Sequence, residues 1–218
     1  MSKTPRVLVI IGHPISDSLN HSIARTYIDS FADTAQVDVI DLAQETPAVQ
    51  PQRAQLSARS GREHLRTDQQ KNMALIENAD HIVWVFPQWW GLYPGVMKSF
   101  IDETFLSGFG FDYSDKFPKG LLSGKTGRII STMDAPPLWN ALWYRNAVGA
   151  SLKRALMRYV GIRPVGATYF SPVRTSTPQK REKWLAMVAQ LARKDAKRLG
   201  LEAAHNTDTQ VEKAPAGV

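Results

Sequence analysis

Four or five short apolar runs alternate with segments of helical spacing, and this alternation restricts the fold more than any other feature of the chain. Val7-Leu8-Val9-Ile10-Ile11 is continuous, rich in β-branched residues and ends at Gly12. A strand with one wet face alternates apolar with polar residues; a run without alternation is buried on both faces, as inside a parallel sheet. His81-Ile82-Val83-Trp84-Val85-Phe86 repeats the pattern and is stopped by Pro87. Residues 37–42, 128–132 and 164–170 supply three further strands. Ile23, Ala24, Tyr27, Ile28 and Phe31 recur at helical spacing, and residues 68–78 predict a helix with an acidic start. Pro94 suits the first residue of a helix whose apolar face carries Val96, Met97, Phe100, Ile101, Thr104 and Phe105. Residues 138–159 predict one helix, and residues 178–199 another with Trp184, Met187, Val188 and Leu191 as its core stripe. Strand–helix alternation with right-handed crossovers implies an α/β fold, a five-stranded parallel sheet in order 2-1-3-4-5 with helices on both faces. Ligands then bind beyond the carboxyl ends of strands one and three, where the winding reverses.

The 218 residues suit one domain, expected over 1–200 with a disordered polar tail at 201–218. The polar stretch 43–67 holds Pro47, Pro51 and Gly61 and is a long excursion of the kind that is often functional. No apolar run approaches the ~18 residues of a membrane span, and the five-residue run near the N-terminus is too short for a secretory signal. Cysteine is absent, which excludes disulfides, thiolate catalysis and cysteine-ligated metals; a cytoplasmic location is the expectation. The net charge is +7, and residues 141–181 carry Arg145, Lys153, Arg154, Arg158, Arg163, Arg174, Lys180 and Arg181 without one acidic residue. Such a stretch either attracts a phosphorylated ligand or is a solvated basic face. No nucleic-acid motif accompanies it, so nucleic acid is not expected as a partner.

The first loop reads Gly12-His13-Pro14-Ile15-Ser16-Asp17-Ser18-Leu19-Asn20. Amides at a helix start bind anions with the help of the helix dipole, and Ser16, Ser18 and Asn20 add short donors, with His13 as a charged one. The glycine-rich dinucleotide fingerprint is missing, because Gly12 stands alone. The alternative is that Ser18 or Asp17 only caps the helix. The second loop, Phe86-Pro87-Gln88-Trp89-Trp90-Gly91-Leu92-Tyr93-Pro94-Gly95, places large aromatics on a connection that faces solvent. A flat ring system stacked on them is one reason for such exposure; packing under the excursion or in a subunit interface is another.

The chain resembles the NAD(P)H dehydrogenase (quinone) family of flavodoxin-like proteins, which includes modulators of drug activity and ancillary subunits of potassium-efflux systems. The likeness rests on His13-Pro14, Ser18-Leu19-Asn20, Phe86–Gly91, the run from Pro94 to Asp102 and Gly108-Phe109-Gly110-Phe111, and extends over about residues 6–199. It implies a flavodoxin-like three-layer sandwich, bound FMN or FAD, and a homodimer with the flavin at the subunit interface. His13, Ser18, Leu19 and Asn20 match positions holding the flavin phosphate and ribityl chain, and Pro87, Gln88, Trp89, Trp90 and Gly91 match the loop along the isoalloxazine. Ser131, Thr132, Met133 and Asp134 match a third flavin loop, although Met133-Asp134 stand where glycines are common. The implied activity is hydride transfer from NAD(P)H through the flavin N5 to a quinone-type acceptor. Backbone amides near Ser131–Met133 are candidates to stabilise charge on the reduced ring. Trp139 falls near the position of a proton-relaying Tyr, with Tyr144 a substitute donor; no metal is expected. Arg145 is the candidate partner for the 2′-phosphate of NADPH. Two other readings are a flavin-binding regulatory subunit of a membrane transporter and a flavin-free interaction module. An electron-carrier flavodoxin fits poorly, since those proteins are usually acidic.

Overall fold

A computed structural model of the chain describes residues 4–31, 34–45, 47–48, 50–113 and 117–201. Strands β1 (Arg6–Ile11), β2 (Gln36–Asp41), β3 (His81–Pro87), β4 (Thr126–Thr132) and β5 (Val165–Phe170) form one parallel sheet in the order β2-β1-β3-β4-β5. The sequence alternation therefore fixes both strand count and order. A two-residue antiparallel pair, Phe111–Asp112 with Lys119–Gly120, stands apart.

Helices α1 (Leu19–Asp29) and α6 (Pro178–Arg198) cover one face of the sheet. The other face carries α2 (Thr67–Asn78), α3 (Gly95–Thr104) and α5, which begins at Ala147–Gly149 and continues as a π-helix over Ala150–Met157. A short helix α4 (Pro137–Leu142) precedes α5. The period-2 pleat divides each apolar run between two cores. Val7, Val9, Val83 and Val85 meet α1 and α6, whereas Leu8, Ile10, Trp84 and Phe86 meet the opposite layer. Every residue of β3 is buried, as its unbroken apolar run requires. Burying each of these large side chains stabilises the fold by about 1.5–3 kcal/mol.

Several expectations shift. Pro87 is the last residue of β3, not the residue that stops it. Pairing with β1 has ended at Ile11↔Val85, so the missing N–H of Pro87 leaves no rung unfilled. Pro94 is the cap before α3 and not its first residue. The helix expected over 138–159 is broken between α4 and α5, where Arg145 and Asn146 adopt φ of 49° and 51°. The side chains of a buried Asn140 and of Asn146 close that bend with a 3.0 Å hydrogen bond, and the Asn146 amide donates to the Asn140 carbonyl. On α6 the buried stripe is Trp184, Val188, Ala192, Asp195 and Ala196; Met187 is exposed and Leu191 half-buried. The stripe runs through two alanines and an aspartate that apolar pattern-matching passes over. Of the expected tail, Leu201 packs on the α1–α6 core, and residues 202–218 lie outside the described residues.

The excursion 43–67 folds back along α3. A 3₁₀ turn at Arg53–Leu56 leads to Ala58, whose amide donates to the Ser107 carbonyl. Arg66 ties its end to the buried Glu103 on α3. Its start reaches the first loop, where Gln44 Nε2 donates to Ser16 Oγ at 2.9 Å.

Candidate functional site

Three loops leave the carboxyl ends of β1, β3 and β4 and meet in one cleft of about 240 Å³. His13, Ser18, Leu19 and Asn20 form one wall; Pro87, Gln88 and Trp89 form a second; Thr132, Met133 and Asp134 form a third. Two contacts hold the walls together. Asn20 Nδ2 lies 3.1 Å from Thr132 Oγ1, and the His13 and Trp89 rings meet edge to face at 5.8 Å.

The first wall is an open helix start. Ser18 is the cap residue of α1, but its side chain makes no capping bond; Ser18 Oγ lies 2.8 Å from His21 Nδ1. The amides of Leu19 and Asn20 thus belong to a first turn with no side-chain cap and remain available to an anion. Capping alone does not account for the loop. Burial holds the pKa of His13 below its ordinary value, and the Ile15 amide donates to its Nδ1 at 3.0 Å. The ring is therefore neutral near pH 7 with its hydrogen on Nε2, not the charged donor expected. His21 lies beneath this loop between Ser18 and Asp41 Oδ1, 3.2 Å from the latter.

The second wall ends in a tight turn. Trp89 and Leu92 exchange backbone hydrogen bonds of 2.8 and 2.9 Å, and the central residues Trp90 and Gly91 take φ of 50° and 78°. Positive φ at both central positions is the type I′ turn, which favours Asn-Gly. A tryptophan there is strained, and strain of this kind marks functional positions. Trp90 stands at the tip, 95% exposed, so it is not part of the inner wall. With Gly91, Tyr144, Ala135 and Arg174 it borders an outer bay that also touches Gln88, Trp89, Met133 and Asp134. Gln88 lines the cleft but is largely buried; its Nε2 donates to Asn140 Oδ1 at 2.9 Å, and its Oε1 is enclosed without a hydrogen-bond partner. An orphaned buried acceptor costs about 1–3 kcal/mol, which a ligand N–H would recover.

In the third wall the structure departs from expectation. The Met133 amide donates to the Phe170 carbonyl at 3.0 Å, so it is spent on the sheet and not available to a ring. Ser131 is fully buried and does not line the cleft. Asp134 Oδ1 accepts the Arg174 amide at 2.6 Å, which ties this loop to the turn after β5. That turn contributes Val173 to the cleft. Extending the sheet-end rule to the fifth strand would have found it. Tyr144 borders the outer bay, its ring against Gly91. Trp139 borders neither hollow: it stacks on Trp143 at 5.2 Å in an exposed apolar patch with Pro136, Leu138 and Leu142. No cluster of potential metal ligands occurs among the described residues.

A family model described as flavodoxin-like fold matches residues 5–194. The chain belongs to that flavodoxin-like family. It is 31% identical over 137 residues to FMN-dependent NADH:quinone oxidoreductase 3 of Bacillus cereus, covering 55% of this chain and 65% of that one. It is 26% identical over 152 residues to a ribosyldihydronicotinamide dehydrogenase-like protein of Penicillium crustosum, covering 59% and 57%. The matched part thus spans less than two thirds of the length of these curated relatives. Among solved structures, Smu.1420 from Streptococcus mutans superposes with a TM-score of 0.75 at 28% identity, covering 87% of this chain and 99% of that one. Within the family fold the cleft sits at the reversal point between β1 and β3, where ligands bind.

Proposed function

We propose that this flavodoxin-like protein is an FMN-dependent NAD(P)H oxidoreductase acting on quinone-type acceptors. The observation that carries the reading is the convergence of three sheet-end loops with unspent polar groups: the first-turn amides of Leu19 and Asn20 and the orphaned Gln88 Oε1. The relatives named FMN-dependent NADH:quinone oxidoreductase support it. A flavin fits the donor set. His13 Nε2, Ser18, Leu19 and Asn20 would hold the phosphate and ribityl end, Gln88 Oε1 would accept from a ring N–H, and Trp89 and Met133 would flank the ring. When bound, the flavin supplies a hydride relay from nicotinamide to acceptor.

The chain's own work is to bind, orient and exclude water. The Gln88–Asn140–Asn146 series fixes the orientation of the Gln88 amide, which limits the reorganisation a ring would require. Tyr144 and Trp90, bordering the outer bay, would frame nicotinamide and acceptor in turn, and the Tyr144 hydroxyl is the candidate proton donor to the reduced acceptor. Trp139 instead serves the surface. Leu138, Leu142 and Trp143 are each more than two-thirds exposed and lie together with Trp139 and Pro136, and contiguous exposed apolar side chains of this kind mark interaction surfaces. A second copy of the chain covering it and closing the bay is the homodimer we propose. No helix among the described residues is long and apolar enough to cross a membrane.

Purified protein should be yellow, release FMN identified by mass, and oxidise NADH with benzoquinone. Asn20→Ala should weaken FMN by about tenfold or more, since two hydrogen bonds to Thr132 go with it. Colourless protein that neither FMN nor FAD reconstitutes would remove the proposal.

A further inference from the structure

A second hollow, outside the sheet-end cleft, lies between α5 and the edge strand β5. It measures about 360 Å³ and is walled by Arg145, Lys153, Arg154 and Arg158. Its floor is Ala167 and Tyr169 of β5, reached past Gly149 and Ala150. None of the four cations forms an ion pair among the described residues, although many other surface cations of the chain do. Residues 141–181 contain no acidic side chain that could reach them from the same segment. Gathering like charges in a concave site without a counter-charge opposes folding and favours any anion that enters.

The backbone is shaped to this end. Asn146, Ala150, Arg154 and Arg158 follow at four-residue spacing, and all four border the hollow. The wider π turn, which closes to i+5, brings residues four and five apart to neighbouring positions along the helix. Ala150, Arg154 and Arg158 belong to the π segment and its cap, and the left-handed Asn146 turns the chain into the helix beside them. Gly149 has a matching role: a Cβ there would come within 2.4 Å of Tyr169 Oη. The glycine lets that hydroxyl rise to the helix backbone, where no hydrogen bond among the described residues engages it. Tyr169 thus offers a donor beside the three guanidinium groups and the Lys153 ammonium.

We propose that this hollow is a binding site for a phosphate ester or diphosphate group. Guanidinium forks and an ammonium match phosphate oxygens in geometry and charge, and a hollow of this volume suits a small phosphorylated molecule. Two sources can supply the group. The turn Trp143–Asn146 separates this hollow from the outer bay, with Tyr144 on one side and Arg145 on the other. The 2′-phosphate end of NADPH is therefore one source, and that assignment rests on the oxidoreductase reading; a separate phosphorylated metabolite is the other.

The test is calorimetric titration of the purified protein with inorganic diphosphate at low salt. One diphosphate should bind per chain, and Arg154→Ala/Arg158→Ala should weaken it by about tenfold or more. Lys183→Ala/Arg193→Ala, two exposed cations of α6 outside the hollow, should leave affinity within about twofold. No binding by the native protein, or equal weakening by both pairs, would overturn the site and leave only a diffuse basic surface. The side chains replaced are exposed, so thermal melts should coincide and misfolding is separately read. Steady-state kinetics then distinguish the sources: a raised KM for NADPH with unchanged KM for NADH assigns the hollow to the dinucleotide. Unchanged values for both, with diphosphate binding lost, assign it to a separate ligand. Failure of the oxidoreductase reading would leave the diphosphate titration interpretable by itself.

Discussion

Asp195 is the most constrained single side chain in the molecule. It is fully buried on α6, and both its oxygens accept from Arg128, which β4 carries in from the sheet; Tyr27 Oη also donates to it at 2.8 Å. His81 lies 3.6 Å away, with its Nδ1 2.6 Å from Thr126 Oγ1. The group sits at the amino ends of β3 and β4, opposite the cleft, so it holds layers together and does not serve chemistry. Burial pushes its carboxyl upward, but hydrogen bonds from Arg128 and His81 and their charges outweigh this and leave the pKa far below the usual carboxylate range. A folded-state pKa below the unfolded value of about 3.9 means the stabilisation is fully present above that pH and drains away as pH falls below it. Asp195→Ala leaves a buried guanidinium unpaired and should cost about 3–5 kcal/mol in urea unfolding. Asp195→Leu combined with Arg128→Met should recover most of that loss and flatten the decline of stability below about pH 4. A double variant as unstable as the single would show that volume, and not charge pairing, governs the position.

At the scale of elements, the turn Trp89–Leu92 stores strain that can be measured. Left-handed backbone at Trp90 costs of order 1 kcal/mol or more, and asparagine tolerates it. Trp90→Asn should therefore raise the melting temperature by about 2–4 °C while lowering turnover with a quinone, because the exposed ring leaves the bay. Lower stability would mean that the indole makes contacts offsetting the strain. The same turn marks where sequence reading succeeds and where it stops. Five strands, their order and the first two walls of the cleft were legible because each rests on a local signal: an unbroken apolar run, or a loop at a known end of the sheet. Trp90 at a turn tip was not, since positive φ is announced by Gly and Asn, and here only Gly91 carries the sign. The break between α4 and α5 carried one such sign, Asn146, but it stands inside a helical pattern and Arg145 shares the positive φ without any. Its cause, the Gln88–Asn140–Asn146 bonding, joins residues 52 positions apart and has no local pattern. The spent amide of Met133 likewise depends on which carbonyl β5 presents.

For the molecule as a whole, the sheet is a rigid platform and the cleft is an assembly of three loops bridged by few contacts of their own. β3 and β1 are buried throughout their cores, whereas the first loop joins the third chiefly through Asn20 and Thr132, and the second through the His13–Trp89 edge contact. Opening of a ligand-binding edge of this kind requires far less free energy than global unfolding. A ligand that binds only the closed arrangement therefore stabilises the loops first and the fold second. At a hundredfold excess over its Kd, FMN should add about 2.7 kcal/mol to the folded state. For a chain of 218 residues that corresponds to a melting temperature higher by about 5–10 °C. Hydrogen exchange should locate the effect: amides of residues 13, 15–20, 88–92 and 132–135 gain protection, while the buried strands β1 and β3 should slow solely by the gain in overall stability. Riboflavin, which lacks the phosphate, should protect the second and third loops and spare the first. A uniform gain across all loops with either compound would mean that the first-turn amides of α1 are not the anion site, and the assignment of the phosphate to Ser18, Leu19 and Asn20 would have to be given up.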